Sequence, residues 1–261
     1  MSKESVFSEY ALYYDLLYKD KDYAAEADYV YRLIQRYRPE TSTILELGSG
    51  TGKHAALLTE RGYRIHGIER SEEMLARAQS LAAERSRQDA QWPAPTFSQG
   101  DIRTARVNRQ FDAAISLFHV ISYQTTNADL IDVFQTAQVH LCAGGLFVFD
   151  VWYGPAVLTD LPAVRVKRMA DERIEVTRLA EPVMRPNDNI VEVNYHVFIR
   201  DSVTGQISET RETHLMRYLF LPEIAMLAER SGFRLEHGEE WLTGNPLGFG
   251  PYGACFVLRA K

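Results

Sequence analysis

The stretch Thr43-Ile44-Leu45-Glu46-Leu47-Gly48-Ser49-Gly50-Thr51-Gly52-Lys53-His54 joins a short apolar run to a glycine-rich turn and then to a helical pattern. Gly48, Gly50 and Gly52 stand at alternating positions, so the backbone can turn sharply and a ligand can approach with no Cβ in the way. The helix that follows offers unpaired N–H groups at its start. After a second apolar run, residues 63–68, stands Glu69. A carboxylate at the tip of a second strand is where a ribose diol is gripped in nucleotide-binding folds.

Two cofactor layouts share this order of strand, loop, helix, strand and acid. A dinucleotide fingerprint counted from Gly48 and Gly50 needs Gly or Ala at position 53, where this chain has Lys53. Glu46, just before the loop, places a fixed negative charge that repels a pyrophosphate and attracts an α-ammonium group. S-adenosylmethionine carries that ammonium and no phosphate. Glu46-Leu47-Gly48-Ser49-Gly50-Thr51-Gly52 accordingly resembles motif I of the class I S-adenosylmethionine-dependent methyltransferases. Lys53 and His54 read as exposed helix residues.

At 261 residues the chain can bury a substantial core in one domain, or in one domain carrying an insertion. The net charge is −6 and no long basic run tracks a nucleic-acid backbone, which argues against a nucleic-acid partner. Cys142 and Cys255 are the only cysteines, far apart and without metal-ligand spacing, so free thiols in a reducing compartment and no metal are expected. Residues 1–9 carry charges and no apolar core, unlike a secretory signal, and no apolar run approaches membrane-spanning length. The expectation is a cytoplasmic enzyme with no membrane partner.

The opening segment interleaves Tyr10, Tyr13, Tyr14, Tyr18 and Tyr23 with acidic residues and Lys21, and a helical pattern over 24–37 stops at Pro39. Between 43 and 151, short apolar strands alternate with amphipathic helices. Strands are predicted over 44–47, 65–68, 96–99, 111–118 and 146–151. The helices fall over 53–61, 71–85 with Ser71 as N-cap, and 128–141, the last ending at the Gly144-Gly145 turn. This alternation predicts a doubly wound, mostly parallel sheet with ligands at the carboxyl ends of its strands. After Asp150 the pattern changes to period two, over 165–168, 173–178, 190–199 and 207–218, with a hairpin turn at 201–206. An antiparallel insertion is expected there. A helix over 222–231 and strands near 233–241 and 254–259 complete the core. The expected division is 1–40 as a helical segment covering the cofactor, 41–154 with 218–261 as the α/β core, and 155–217 as the insertion.

The resemblance implies a seven-stranded, Rossmann-like sheet and S-adenosylmethionine as cofactor, leaving as S-adenosylhomocysteine. It places cofactor contacts at Glu46, Gly48, Ser49, Gly50, Glu69 and Arg70. Met74 and the pair Asp101-Ile102 would meet the adenine, and Leu117 would lie along the methionine part. Asp112 reads as the acidic residue at the start of the fourth strand. His119, just after that strand, is the first candidate for a base, with Tyr123 beside it in sequence. Trp152, Tyr153, His196 and Tyr252 are candidates for the wall around a small-molecule acceptor, with His214 on a neighbouring strand of the insertion.

A narrower resemblance lies in Tyr13-Tyr14-Asp15-Leu16-Leu17-Tyr18 followed by Lys21-Asp22-Tyr23-Ala24-Ala25-Glu26, which is similar to the opening of the N,N-dimethyltransferases acting on nucleotide-linked amino sugars. It implies that Tyr14 and Tyr23 contact the cofactor, that the insertion helps form the acceptor pocket, and that the chain pairs as a homodimer. Methyl transfer to an amino or hydroxyl group of a nucleotide-linked sugar leads. A methyltransferase of another metabolite and a non-catalytic S-adenosylmethionine-binding subunit stay open beside it. Lys53 and Glu46 count against a dinucleotide-dependent oxidoreductase.

Overall fold

A computed structural model describes residues 16–261. Helix α1 (Tyr23–Tyr37) begins behind Asp22, whose side chain accepts from the Ala25 N–H, and turns Ala27, Tyr29, Val30, Leu33 and Ile34 inward. Then follow β1 (Thr43–Leu47), α2 (Lys53–Thr59), β2 (Arg64–Glu69), α3 (Glu72–Gln88), β3 (Thr96–Gln99) and β4 (Phe111–Ser116). Ser71 caps α3 by accepting from the Met74 N–H at 3.3 Å. Helix α4 (Asn127–Val139) is capped by Thr126 and leads into β5 (Leu141–Tyr153) and the short α5 (Gly154–Thr159). Strands β6 (Arg165–Ala170), β7 (Ile174–Arg185), β8 (Ile190–Asp201) and β9 (Ile207–Leu219) come next, then α6 (Leu221–Arg230), β10 (Phe233–Glu240) and β11 (Gly253–Ala260).

Strands β3, β2, β1, β4 and β5 lie side by side and all parallel. Strand β11 runs antiparallel on β5, and β10 antiparallel on β11. The order reverses between β1 and β4, so the crevice of this open sheet lies beyond the carboxyl ends of those strands. Asp112 at the start of β4 accepts from the backbone and side chains of Ser42 and Thr43 at 2.9–3.1 Å, which locks the opposite end of the same strand pair.

Strands β6 to β9 form an antiparallel meander, and β9 continues the central sheet through two parallel pairs, Trp152 with Tyr218 and Tyr153 with Leu219. Asp201 closes the β8–β9 hairpin by accepting from the Val203 and Thr204 N–H groups. Apolar layers cover both faces of the core sheet. Phe134, Phe147, Phe149, Phe233 and Phe256 pack under α4 and α6, and Val30, Ile34, Ile115, Val148 and Val257 under α1 and α2. A smaller cluster, Leu17, Met74, Val176 and Val197, joins the N-terminal segment and α3 to the insertion strands.

Three expectations are corrected. Strand β5 starts at Leu141, so Gly144-Gly145 lies inside it rather than ending a helix. The pairing with β4 slips there by a bulge, which glycine at φ +73° accommodates. Helix α5 occupies residues expected to begin the insertion. His54 is buried rather than exposed, with Nε2 2.7 Å from Glu26 Oε2, because α1 packs across α2. Among the described residues no helix is long and apolar enough to cross a membrane, no group of three His, Cys, Asp or Glu is placed to hold a metal ion, and both cysteines are free.

Candidate active site

The loop after β1 is built for close approach. Gly48 has φ +79°, and a Cβ there would sit 2.7 Å from a Val120 methyl. The N–H groups of Gly48 and Ser49 both donate to the Ile68 carbonyl, at 2.9 and 3.1 Å, which pins the turn to β2. Glu69 then clamps the two strand ends: Oε2 accepts from Gly50 N–H at 2.8 Å and Oε1 from Ser71 N–H at 2.9 Å. A carboxylate has about four lone-pair sites, so acceptor capacity remains for ligand hydroxyls.

Glu46 is only 1% exposed, and its Oε2 has no hydrogen-bond partner among the described residues. Burial, reinforced by the charge of nearby Glu69, pushes its carboxyl up to about 8. The fixed charge expected at this position is therefore conditional. At neutral pH the carboxyl keeps its proton until a cation comes beside it. An unpartnered buried carboxylate oxygen next to a glycine cradle is the environment that an α-ammonium group completes, so the residues present fit S-adenosylmethionine.

Gly48 and Glu69 line a cleft of about 1450 Å³, with Glu46, Ser49 and Gly50 set behind its lining. Its core side carries Gly48, Glu69, Arg70, Asp101, Ile102 and Arg103; its far side is made by Tyr195, His196, Glu212 and His214 of β8 and β9, with Val120 and Tyr123 between. Asp101 is gripped by Arg103, whose Nε and Nη2 lie 2.6–3.1 Å from its oxygens, while Arg103 Nη1 reaches Asp129 at 2.6 Å. The hydrogen bonds from Arg103 hold the Asp101 carboxyl below the usual range, so it is present as a charged acceptor.

Other expected positions lie behind the wall. Ser49 is buried, and its hydroxyl has no hydrogen-bond partner among the described residues. Leu117 is buried among Ile44 and Ile115, and Met74 among Leu17, Val176 and Val197. Tyr153 is buried in the main core, and Trp152 packs on Tyr252 at 5.7 Å between ring centres. The Tyr252 hydroxyl donates to the Asp160 carbonyl. Of the four residues expected around the acceptor, His196 alone lines the cleft, and its Nε2 lies 2.6 Å from Glu209. Tyr14 lies outside the described residues. Tyr23 sits with Lys53 5.0 Å over its ring and Lys21 at 4.6 Å, beside His54.

Phe118 and His119 both adopt positive φ, 66° and 62°, a conformation non-glycine residues rarely take. The buried Asp150 holds this turn. Its Oδ2 accepts from His119 N–H at 3.0 Å and lies 2.6 Å from His119 Nδ1 without the alignment of a hydrogen bond. His119 is outside the residues lining the cleft, whereas Tyr123 is on its wall with its hydroxyl 2.8 Å from His214 Nδ1. Sequence reading misses Glu212 and Tyr195. The alternation of Glu212 and His214 on one face of β9 was the available signal, but nothing in it shows that this face meets the core.

A parallel sheet reversing at β1 and β4, an antiparallel last strand, a glycine loop after β1 and an acid at the tip of β2 together define the class I methyltransferase architecture. Residues 44–145 match the methyltransferase domain family. The chain is 31% identical to a dTDP-3-amino-3,4,6-trideoxy-alpha-D-glucopyranose N,N-dimethyltransferase of Streptomyces venezuelae, over 93% of this chain and 95% of that one. It is 28% identical to a dTDP-4-amino-2,3,4,6-tetradeoxy-D-glucose N,N-dimethyltransferase of Saccharopolyspora spinosa, over 94% and 92%. Among solved structures, the sugar N-methyltransferase KedS8 of Streptoalloteichus superimposes with a TM-score of 0.78 at 25% identity, covering 95% of this chain and 92% of that one. The chain belongs to this family of S-adenosylmethionine-dependent methyltransferases.

Proposed function

We propose that the protein methylates the amino group of a nucleotide-linked amino sugar. The observation that carries this reading is the position of the cleft: one wall is the cofactor loop and the other is the insertion, so a small acceptor enters between them. The names of the relatives, dimethyltransferases of dTDP-linked amino sugars that match nearly the whole chain, support the acceptor class.

Bound S-adenosylmethionine supplies an electrophilic methyl group, and the protein's task is to hold and orient. Glu46 would receive the α-ammonium, Glu69 the ribose hydroxyls, Asp101 and Ile102 the adenine, with Gly48, Ser49, Gly50 and Arg70 around them. Met74 and Leu117 act from behind, by fixing the backbone that lines the site. Tyr23, and Tyr14 by resemblance, would cover the cofactor. On the acceptor side Tyr123 faces the cleft and His196 borders it. The Asp150 contact holds His119 in the turn above β4, outside the cleft lining, where Trp152, Tyr153 and Tyr252 also stand.

The division into a segment over 1–40, a core and an insertion over 155–217 is part of the same reading, with the insertion shaping the acceptor pocket. The exposed edge of β6, where Val166 is 51% exposed and Val164 just before the strand 65%, is proposed as the contact of a homodimer. A reducing cytoplasm suits the two free thiols.

Calorimetric titration with S-adenosylhomocysteine, with NAD as comparison, tests the cofactor site; micromolar binding of the former alone is expected. Incubation with S-adenosylmethionine and a dTDP-3-amino-sugar, followed by mass spectrometry, is then expected to show one and two added methyl groups. Binding of S-adenosylhomocysteine with no methylated product would rule out this acceptor.

A further inference from the structure

His214 on β9 and Tyr123 in the turn after β4 meet where the insertion joins the core. Tyr123 Oη lies 2.8 Å from His214 Nδ1, and His214 Nε2 lies 3.2 Å from Glu212 Oε2. All three line the cleft, yet the two insertion residues are 3% and 4% exposed. A carboxylate accepts and does not donate, so a neutral His214 imidazole facing a Glu212 carboxylate carries its proton on Nε2. Nδ1 then carries the lone pair, and the Tyr123 hydroxyl must donate to it. Any further partner of the Tyr123 oxygen has to be a donor. The row is therefore polarised in one direction, from the cleft toward Glu212.

Burial above all holds the Tyr123 hydroxyl well above its ordinary range, so it does not serve as a phenolate base. It can pass a proton on without keeping a charge. The group that gains the charge is His214, and Glu212 stands beside it. Among the described residues, the other titratable groups around the row are Tyr195 of β8, whose ring is 5.0 Å from that of His214, Arg178 of β7, 4.6 Å over the Tyr195 ring, and Tyr18 of the N-terminal segment. Arg178 opposes an imidazolium and Glu212 favours it, and Glu212 is in direct contact.

We propose that Tyr123, His214 and Glu212 form a proton-accepting relay for an amine acceptor. The acceptor's ammonium N–H bond breaks toward Tyr123 Oη as the Tyr123 proton passes to His214 Nδ1. The amine nitrogen keeps the electron pair with which it forms its new bond to carbon. A cation is lost from the acceptor and one is gained at His214, where the Glu212 carboxylate holds it until solvent takes the proton. Tyr123 touches the acceptor in this scheme, and His214 and Glu212 act through it. The proposal rests on the reading of the acceptor as an amine.

The test measures kcat and KM from pH 6 to pH 10 with dTDP-3-amino-3,4,6-trideoxyglucose for the wild type, Tyr123→Phe and Glu212→Gln. Both variants are expected to lose about tenfold or more in kcat at pH 7 while binding S-adenosylhomocysteine as the wild type does. The loss should shrink to about twofold or less near pH 10, where the amine sheds its proton to solvent unaided. A loss of the same size at every pH, or none at pH 7, overturns the relay. Nitrogen NMR of labelled histidine gives a reading that needs no acceptor. At neutral pH His214 should carry its proton on Nε2, and Tyr123→Phe should displace the Nδ1 resonance. A proton on Nδ1 in the wild type overturns the relay whatever the substrate. If the wild type leaves this amino sugar unmethylated, the acceptor reading falls and the histidine tautomer alone decides the relay.

Discussion

Glu46 links folding, pH and cofactor binding in one carboxyl. Its folded pKa of about 8 lies above the 4.5 of an unperturbed side chain, so the folded chain holds this proton to higher pH than the unfolded chain. The sign follows: Glu46 lowers stability progressively as pH rises from 4.5 through 8, by an amount on the order of 5 kcal/mol across the window. Glu46→Gln, which keeps the shape and removes the charge, is expected to melt several degrees above the wild type at pH 8.5 and close to it near pH 4.5, as differential scanning calorimetry would read. The same variant should bind S-adenosylhomocysteine at least tenfold more weakly. In the wild type, an arriving ammonium should expel the Glu46 proton. Titrations at pH 7 in buffers of different ionisation enthalpy should then report close to one proton released per ligand bound. Glu69 differs because its oxygens already hold two backbone N–H groups. Glu69→Ala is expected to cost roughly 1–3 kcal/mol in urea unfolding and a similar amount in cofactor affinity. An unchanged dissociation constant would remove Glu69 from the site.

At the scale of elements, the cofactor side and the acceptor side meet through strand pairs, apolar clusters and the hydrogen bonds of Arg217 to Thr125, Asn127 and Glu223. Two residue pairs join β9 to β5, and the cluster of Leu17, Met74, Val176 and Val197 ties α3 to the insertion. Met74→Ala is expected to destabilise the protein by roughly 2–5 kcal/mol. It should also weaken S-adenosylhomocysteine binding with no ligand contact removed, because the start of α3 carries Ser71 and, through it, Glu69. Equal dissociation constants for Met74→Ala and wild type would separate the cluster from the site. Elements whose apolar periodicity matched their burial were legible in the sequence; β2 spans Arg64–Glu69 where 65–68 was expected, with Ile65 and Ile68 buried. The start of β5 was not, because Gly144-Gly145 has the composition of a turn. Whether such a pair ends a helix or forms a bulge depends on the neighbouring strand, β4, contributed by residues some thirty positions earlier.

Taken whole, the molecule carries its function at the meeting of two differently built parts. If the edge of β6 is a dimer contact, light scattering at micromolar concentration should give twice the chain mass, and Val166→Lys should return it to one. A monomeric wild type would remove that proposal. The sequence by itself determined the cofactor half. The glycine spacing, the acid before the loop, Glu69 and the alternation of strands and helices are local features, and the φ values and charges they require come from neighbours within a few turns of chain. Only the tertiary structure decided what faces the cleft. A strand presents its residues to both sides, and its own pattern shows which side is apolar, never what stands opposite. His54, polar by type, is buried because Glu26 comes to meet it from another helix. His119, close in sequence to the cofactor landmarks, is turned to Asp150, whereas Glu212 and His214 arrive beside Tyr123 from about ninety residues away. Such distant pairings depend on how the β9 meander docks on β5, and no local propensity encodes that docking.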